Sequence, residues 1–215
     1  MRVDMLQKKA PTTAYLIRHA QSHPRSSVAD MRWPLSEVGK RQAATLTNLL
    51  SSSKISLMVS SPFERCLETV RPYAEKFGVG IRVVTELKER NLSDHLLTNF
   101  GDIWEKSWQD FSFKLPNCES SYECQIRVYH AMRRICEEHS GGTIGISSHG
   151  NAIGLFLNKV DPTFGLEEAN RIRNPDIFKV VYDNGKFTWI RDYTRPDGLD
   201  SISTNAFDTP VAFDR

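Results

Sequence analysis

The stretch Ala14-Tyr15-Leu16-Ile17-Arg18-His19-Ala20-Gln21-Ser22 decides how this chain reads. Its first four residues form a short, unbroken apolar run of the kind shown by a strand buried on both faces. Polarity then switches at once to a permanent cation, Arg18, and an imidazole, His19. In a parallel sheet ligands bind where strands end and helices begin, so this pair stands where an anion would meet it. A second such junction occurs far downstream, where Thr143-Ile144-Gly145-Ile146 runs into Ser147-Ser148-His149-Gly150-Asn151. Between them, Ser60-Ser61-Pro62-Phe63-Glu64-Arg65 again begins at a strand end and sets an arginine in the first turn of a helix. Together the three junctions read as one pocket shaped for phosphate.

Outward from these points, apolar runs at 13–17, 56–60, 81–84 and 143–147 read as buried strands, and helical periodicity alternates with them. The first helix runs from Ser36 to Leu50. The second opens on Ser61 as N-cap, with Pro62 at the first helical position and Glu64 as the partner of a capping box, and stops at Gly78. The third starts near Ser120, with Glu123 as box partner, and a fourth follows His149 directly. Asp183-Asn184-Gly185-Lys186 lies between two β-rich runs, which is a hairpin signal. The expected fold is therefore α/β: a three-layer α/β/α arrangement with a mostly parallel central sheet and an antiparallel edge hairpin near the C-terminus. Residues 1–215 are expected to form one domain. It would carry an N-terminal extension (1–12), an inserted segment (91–118) and an irregular tail (192–215). Phe100, Trp104, Trp108, Phe111 and Phe113 make the insertion aromatic, either as core or as a lid over substrate.

With 40% apolar and 25% charged residues and a net charge of +2, the 215-residue chain has no basic excess to suit nucleic acid or a membrane surface. Cys66, Cys118, Cys124 and Cys136 show neither a C-x-x-C pair nor zinc spacing, which points to reduced thiols, no metal and a cytoplasmic location. Met1 to Thr13 lacks the apolar run of a signal peptide, and no stretch reaches the roughly 20 apolar residues of a membrane span. His23, His95, His130 and His139 join no constellation.

The motif Leu16-Ile17-Arg18-His19-Ala20-Gln21-Ser22 resembles the Arg-His-Gly signature of the histidine phosphatase superfamily, also called the phosphoglycerate mutase-like family. Further motifs follow in the family's order: Pro34 to Ala43, Ser60 to Thr69, Leu87-Lys88-Glu89-Arg90, Cys118-Glu119-Ser120 and Ser148-His149-Gly150-Asn151. The resemblance covers about residues 13 to 190 and implies roles residue by residue. His19 would be the nucleophile that becomes phosphorylated, His149 the second pocket histidine, Arg18 and Arg65 the phosphate clamps, and Glu89 the proton donor. Ser22 and Asn151 would line the substrate pocket less directly.

That chemistry suits those residue types. A phosphomonoester carries close to two negative charges, and two arginine forks can neutralise them without a metal or other cofactor. Glu86 competes with Glu89 for the acid's role, and the Leu-x-Glu pattern favours Glu89. The chain also departs from the family. Ala20 replaces the usual glycine, Pro24-Arg25 stands where the glycolytic mutases have Trp-Asn, and their Tyr-Gly after the acid is missing. Arg25 would be either a further cation at the pocket mouth or a solvated residue. The expected function is a metal-independent phosphatase acting on a small phosphorylated substrate through a phosphohistidine. The alternatives are a phosphoglycerate-type mutase and a non-catalytic phospho-ligand-binding protein. Neither the substrate nor the oligomeric state is legible from the sequence.

Overall fold

The computed structural model describes residues 10–25, 27–93, 99–193 and 195–205. A sheet of six strands runs in the order β3 (Ile81–Val83), β2 (Leu57–Ser60), β4 (Thr143–Ser148), β1 (Thr12–Arg18), β6 (Asp176–Asp183) and β7 (Lys186–Trp189). The pairs β3/β2, β2/β4 and β4/β1 are parallel, and β1/β6 and β6/β7 are antiparallel. The α/β sheet with its antiparallel edge is thus as expected. At the hairpin tip Asn184 and Gly185 both take positive φ, 48° and 83°, which is the turn that matches strand twist.

Alternation along the strands divides the core into two layers. Ala14 and Leu16 of β1, Val59 of β2 and Ile144 and Ile146 of β4 pack against α4 (Ser121–Glu138) and α5 (Gly150–Val160). Tyr15, Ile17 and Met58 face the other way, onto α1 (Glu37–Leu49) and α2 (Glu64–Phe77). The expected three layers follow from this period of two.

Ser120 and Glu123 form the expected capping box at the start of α4. The box expected at Ser61 does not form. The first helical residue of α2 is Glu64, its N-cap is Phe63, and the Ser61 hydroxyl turns toward His149 instead. The four cysteines are free and buried. The inserted segment is neither simply core nor simply lid: in α3 (Phe100–Gln109) Trp108 is buried while Phe100 is exposed. The tail read as irregular is ordered in part. It follows α6 (Leu166–Asn170) and β5 (Arg173–Asn174), and it forms α7 (Leu199–Ile202) and β8 (Thr204–Asn205), which pairs with β5. Leu199 is fully buried against the α1/α2 layer, an apolar anchor that a polar composition concealed. Residues 1–9 of the extension, 94–98 of the insertion with His95, and 206–215 lie outside the described residues. Among the described residues no helix is long and apolar enough to cross a membrane.

Candidate active site

The parallel register fixes the centre of the site. Arg18 of β1 pairs with Ser148 of β4, so His19 and His149 leave two adjacent strands at the same level, and the His19 N–H continues the ladder to the Ser148 carbonyl at 3.0 Å. Their rings meet edge to face with centroids 5.3 Å apart. On the other side of β4, Ser60 pairs with Ser147, which puts Ser61 and the start of α2 beside them. The junctions that are far apart in sequence therefore converge.

Each ring is held. His19 Nδ1 lies 2.7 Å from the Ala20 carbonyl, which can only accept, so Nδ1 carries the proton and Nε2 presents its lone pair. The Arg65 Nε–H points at that lone pair from 3.3 Å. Asn174 donates from Nδ2 to the His19 carbonyl at 2.8 Å. Around His149, the Ser61 hydroxyl lies 2.8 Å from Nε2 and the Phe63 ring stands edge-on at 4.8 Å. Burial, followed by the nearby Arg65 charge, pushes both imidazoles well below their ordinary range, so both are neutral. The Cys66 thiol beside His149 is pushed up to about 12 by burial, which makes it an inert neighbour.

The arginines flank these rings. Arg65, 6% exposed, gives Nη1 to the Asp30 carbonyl at 2.7 Å and lies with its guanidinium carbon 4.6 Å from the Phe63 ring centroid. Arg18 gives Nη1 to the Ile172 carbonyl at 2.6 Å, and its buried Nε has no hydrogen-bond partner among the described residues. Burial lowers the Arg18 guanidinium to about 10, still fully charged at neutral pH. Gly150 makes this packing possible. A Cβ there would lie 2.9 Å from the Arg18 guanidinium carbon.

Glu89 sits on the loop after the turn Thr85–Leu87, which three contacts tie down. The Ser148 hydroxyl donates to the Leu87 carbonyl at 2.8 Å, and Arg127 donates to the Glu86 and Lys88 carbonyls at 2.5 and 3.1 Å. The Glu89 carboxylate accepts from the amides of Arg90 (2.8 Å), Ala152 (3.0 Å) and Asn151 (3.2 Å), the last two in the first turn of α5. It caps the helix that begins after His149 and borders the same cavity as Arg18. Glu86 instead pairs with Arg134 at 2.9 Å on the surface, which holds its carboxyl below the usual range.

The cavity encloses about 270 Å³ and has Arg18, Glu89, Gly150 and Asn151 among its lining residues. Asn151 is buried. Ser22 forms a backbone bridge with Leu35. Arg25 is exposed. Sequence reasoning missed Ser61 as the partner of His149, and it missed Asn174 and Asp30. The Asn174-Pro175 turn signal was visible, but not its destination. Asp176 pairs in register with Arg18, which helps bring Asn174 beside His19.

Among the described residues no cluster of three or more His, Cys, Asp or Glu side chains could hold a metal. The family model of the histidine phosphatase superfamily (branch 1) matches residues 14–193. A probable phosphoglycerate mutase, GpmB, of Yersinia pestis is 26% identical over 185 residues, spanning 78% of this chain and 84% of its own. Among solved structures, a phosphoserine phosphatase mutant from Entamoeba histolytica in complex with phosphoserine superposes with a TM-score of 0.69. It shares 16% identity over 83% of this chain and 95% of its own. A mycobacterial glucosyl-3-phosphoglycerate phosphatase gives 0.68 at 19% identity over 84% and 97%. At those identities the structures speak for the fold.

Proposed function

The chain belongs to the histidine phosphatase superfamily, and from that premise we propose that it is a metal-independent phosphatase hydrolysing a small phosphomonoester through a phosphohistidine on His19. The observation that carries this reading is the pair of neutral imidazoles 5.3 Å apart between two buried or half-buried guanidinium groups.

In the proposed reaction Arg18 and Arg65 grip the phosphoryl oxygens, each charge-assisted bond stronger than a neutral one. The lone pair of His19 Nε2 forms the N–P bond as the ester P–O bond breaks. Glu89 gives its proton to the departing oxygen, releasing the alcohol; its Oε2, with only the 3.2 Å bond from Asn151, is the oxygen with room for that proton. The ring becomes cationic, and the Ala20 carbonyl stabilises its Nδ1 proton. Water then attacks phosphorus and yields a proton to the Glu89 carboxylate. The N–P bond breaks, its electron pair returns to Nε2, and inorganic phosphate leaves. His149 hydrogen-bonds the phosphoryl oxygens as charge builds on them, and Asn151 and Ser22 border the substrate.

Incubation with a radiolabelled phosphomonoester followed by quenching tests this. The expected product is an alkali-stable, acid-labile phosphoprotein that disappears in His19→Ala, with phosphate released at a rate unaffected by chelator. Absence of labelling with phosphate still bound would instead identify a binding protein, and return of the label to the organic product a mutase, as the name of the Yersinia relative suggests.

A further inference from the structure

No residue of the motif Pro34 to Ala43 takes part in the proposed reaction, yet the start of α1 is built against the chain that leaves His19. Three of its residues grip Gln21. The Ser36 amide donates to the Gln21 carbonyl at 3.0 Å, and Gly39 lies so close that a Cβ there would stand 2.0 Å from the same oxygen. Gln42, 2% exposed and one turn on, accepts from the Gln21 amide at Oε1 over 2.8 Å. Its Nε2 donates to the carbonyls of Asn174 at 3.0 Å and Ile202 at 2.5 Å. A backbone N–H only donates and a carbonyl only accepts, so these partners fix the carboxamide one way round.

The Gln21 amide belongs to the same peptide unit as the Ala20 carbonyl, and that carbonyl accepts the Nδ1 proton of His19 at 2.7 Å. A chain of hydrogen bonds thus runs from the His19 ring through one peptide to Gln42. Bonds in such a chain polarise one another: an acceptor on the N–H makes the carbonyl oxygen more negative, and so a better partner for an imidazole that turns cationic. The preceding peptide is pinned as well. Asn174 Nδ2 donates to the His19 carbonyl at 2.8 Å and the Ala20 amide donates to Thr69 Oγ1 at 2.9 Å. Because Gln42 also holds the Asn174 carbonyl, one carboxamide reaches the nucleophile by two routes, along the chain and across from β5.

We propose that Gln42 is a positioning residue for the nucleophile: its carboxamide orients the Ala20–Gln21 peptide and Asn174 so that His19 keeps its proton on Nδ1 and aims Nε2 at phosphorus. The inference rests on the phosphatase reading, which makes His19 the attacking group. The clamps are held from elsewhere, Arg18 by the Ile172 carbonyl and Arg65 by the Asp30 carbonyl, so loss of Gln42 should slow attack without weakening the hold on phosphate.

Gln42→Met keeps the length of the side chain and removes its hydrogen bonds. The assay is rapid-quench formation of the phosphoenzyme by the full chain from p-nitrophenyl phosphate, whose phenolate leaves without help from an acid, so the step reports attack by His19. Its rate constant should fall about ten- to a hundredfold, the upper figure being the loss that misplacement by about 1 Å brings, while inhibition by inorganic phosphate stays within about threefold of the parent. The His19 Nδ1 proton, identified in the proton spectrum by its loss in His19→Ala, should move upfield as its bond to the Ala20 carbonyl weakens. Should the methionine variant fail to fold, the parent chain carries the test: orthovanadate, which bonds the nucleophilic nitrogen, should move the Gln21 amide proton downfield as the cationic ring draws on the chain. An unslowed step, phosphate inhibition lost in proportion to the rate, or an unmoved Nδ1 proton would overturn the inference and leave the phosphatase reading standing; so would a Gln21 amide that vanadate leaves in place. A parent chain that forms no phosphohistidine would sink the phosphatase reading, and the Nδ1 proton of the variant would still decide whether Gln42 positions the ring.

Discussion

Gly150→Ala is the sharpest probe of the clamp. The added methyl would sit 2.9, 3.1 and 3.2 Å from Cζ, Nε and Nη1 of Arg18, where ordinary carbon contacts are about 3.5 to 4 Å. The guanidinium must therefore retreat by about 0.5 to 1 Å, pulling on the 2.6 Å bond to the Ile172 carbonyl. Misplacement of a catalytic group by about 1 Å costs on the order of 10²-fold, or about 2.7 kcal/mol of transition-state stabilisation. Folding should tolerate the change, because the obstacle is the far end of a flexible side chain and alanine is a better helix former than glycine by up to about 1 kcal/mol. Steady-state phosphate release should fall about 100-fold while the urea midpoint moves little. On an Arg18→Ala background the same substitution should cost almost nothing, because the two changes act through one group. Losses that multiply independently, or a single variant within threefold of the parent, would refute the idea that Gly150 spaces the clamp.

Three further outcomes follow from the site. His19 and His149 stay neutral in the fold while the unfolded chain takes up protons below about pH 6.5, so stability is lost as pH falls. From pH 7.5 to 5.5 the loss is about 1.4 kcal/mol per histidine, and urea denaturation of His149→Asn should show roughly half the parent's histidine-dependent decline; an unchanged slope would contradict it. Arg65→Lys keeps the charge but loses the fork that spans His19 Nε2 and the Asp30 carbonyl, and kcat/KM should drop about 10²- to 10³-fold with the circular dichroism spectrum intact. Asn174→Asp sets a carboxylate beside His19 in place of an amide donor, which favours the imidazolium. The acid limb of the pH–rate profile should move upward, and a superimposable profile would show that Asn174 does not act on the ring.

The parts of the site that were legible in the sequence are those written locally. A strand ending in Arg18-His19, another ending before His149, and an arginine in a first helical turn each announce themselves within a few residues. The parts that were not legible depend on who arrives from elsewhere. Ser61 obeys the local rules of an N-cap, yet its hydroxyl bonds a histidine 88 residues away. Asn174 reaches His19 across 155 residues because of the β1/β6 register. Leu199 lies in a polar, turn-rich stretch where no periodicity marks it, and only packing against α1 and α2 gives it a place. Glu89 was singled out as the candidate acid, but its seat on the first turn of α5 was not foreseen, since helix capping by a residue outside the helix leaves no spacing to read.

The order of strands in the sheet bears on how the protein comes into being. β1 precedes every other strand among the described residues, yet its neighbours on both sides, β4 and β6, begin only at Thr143 and Asp176. At ordinary rates of translation that delay is on the order of ten seconds. Throughout it the strand bearing His19 has both rows of amides and carbonyls bare, an apolar template open to any passing chain. Shielding of the nascent chain should then raise the yield of folded protein, and C-terminal truncations before Asp183 should accumulate as aggregates.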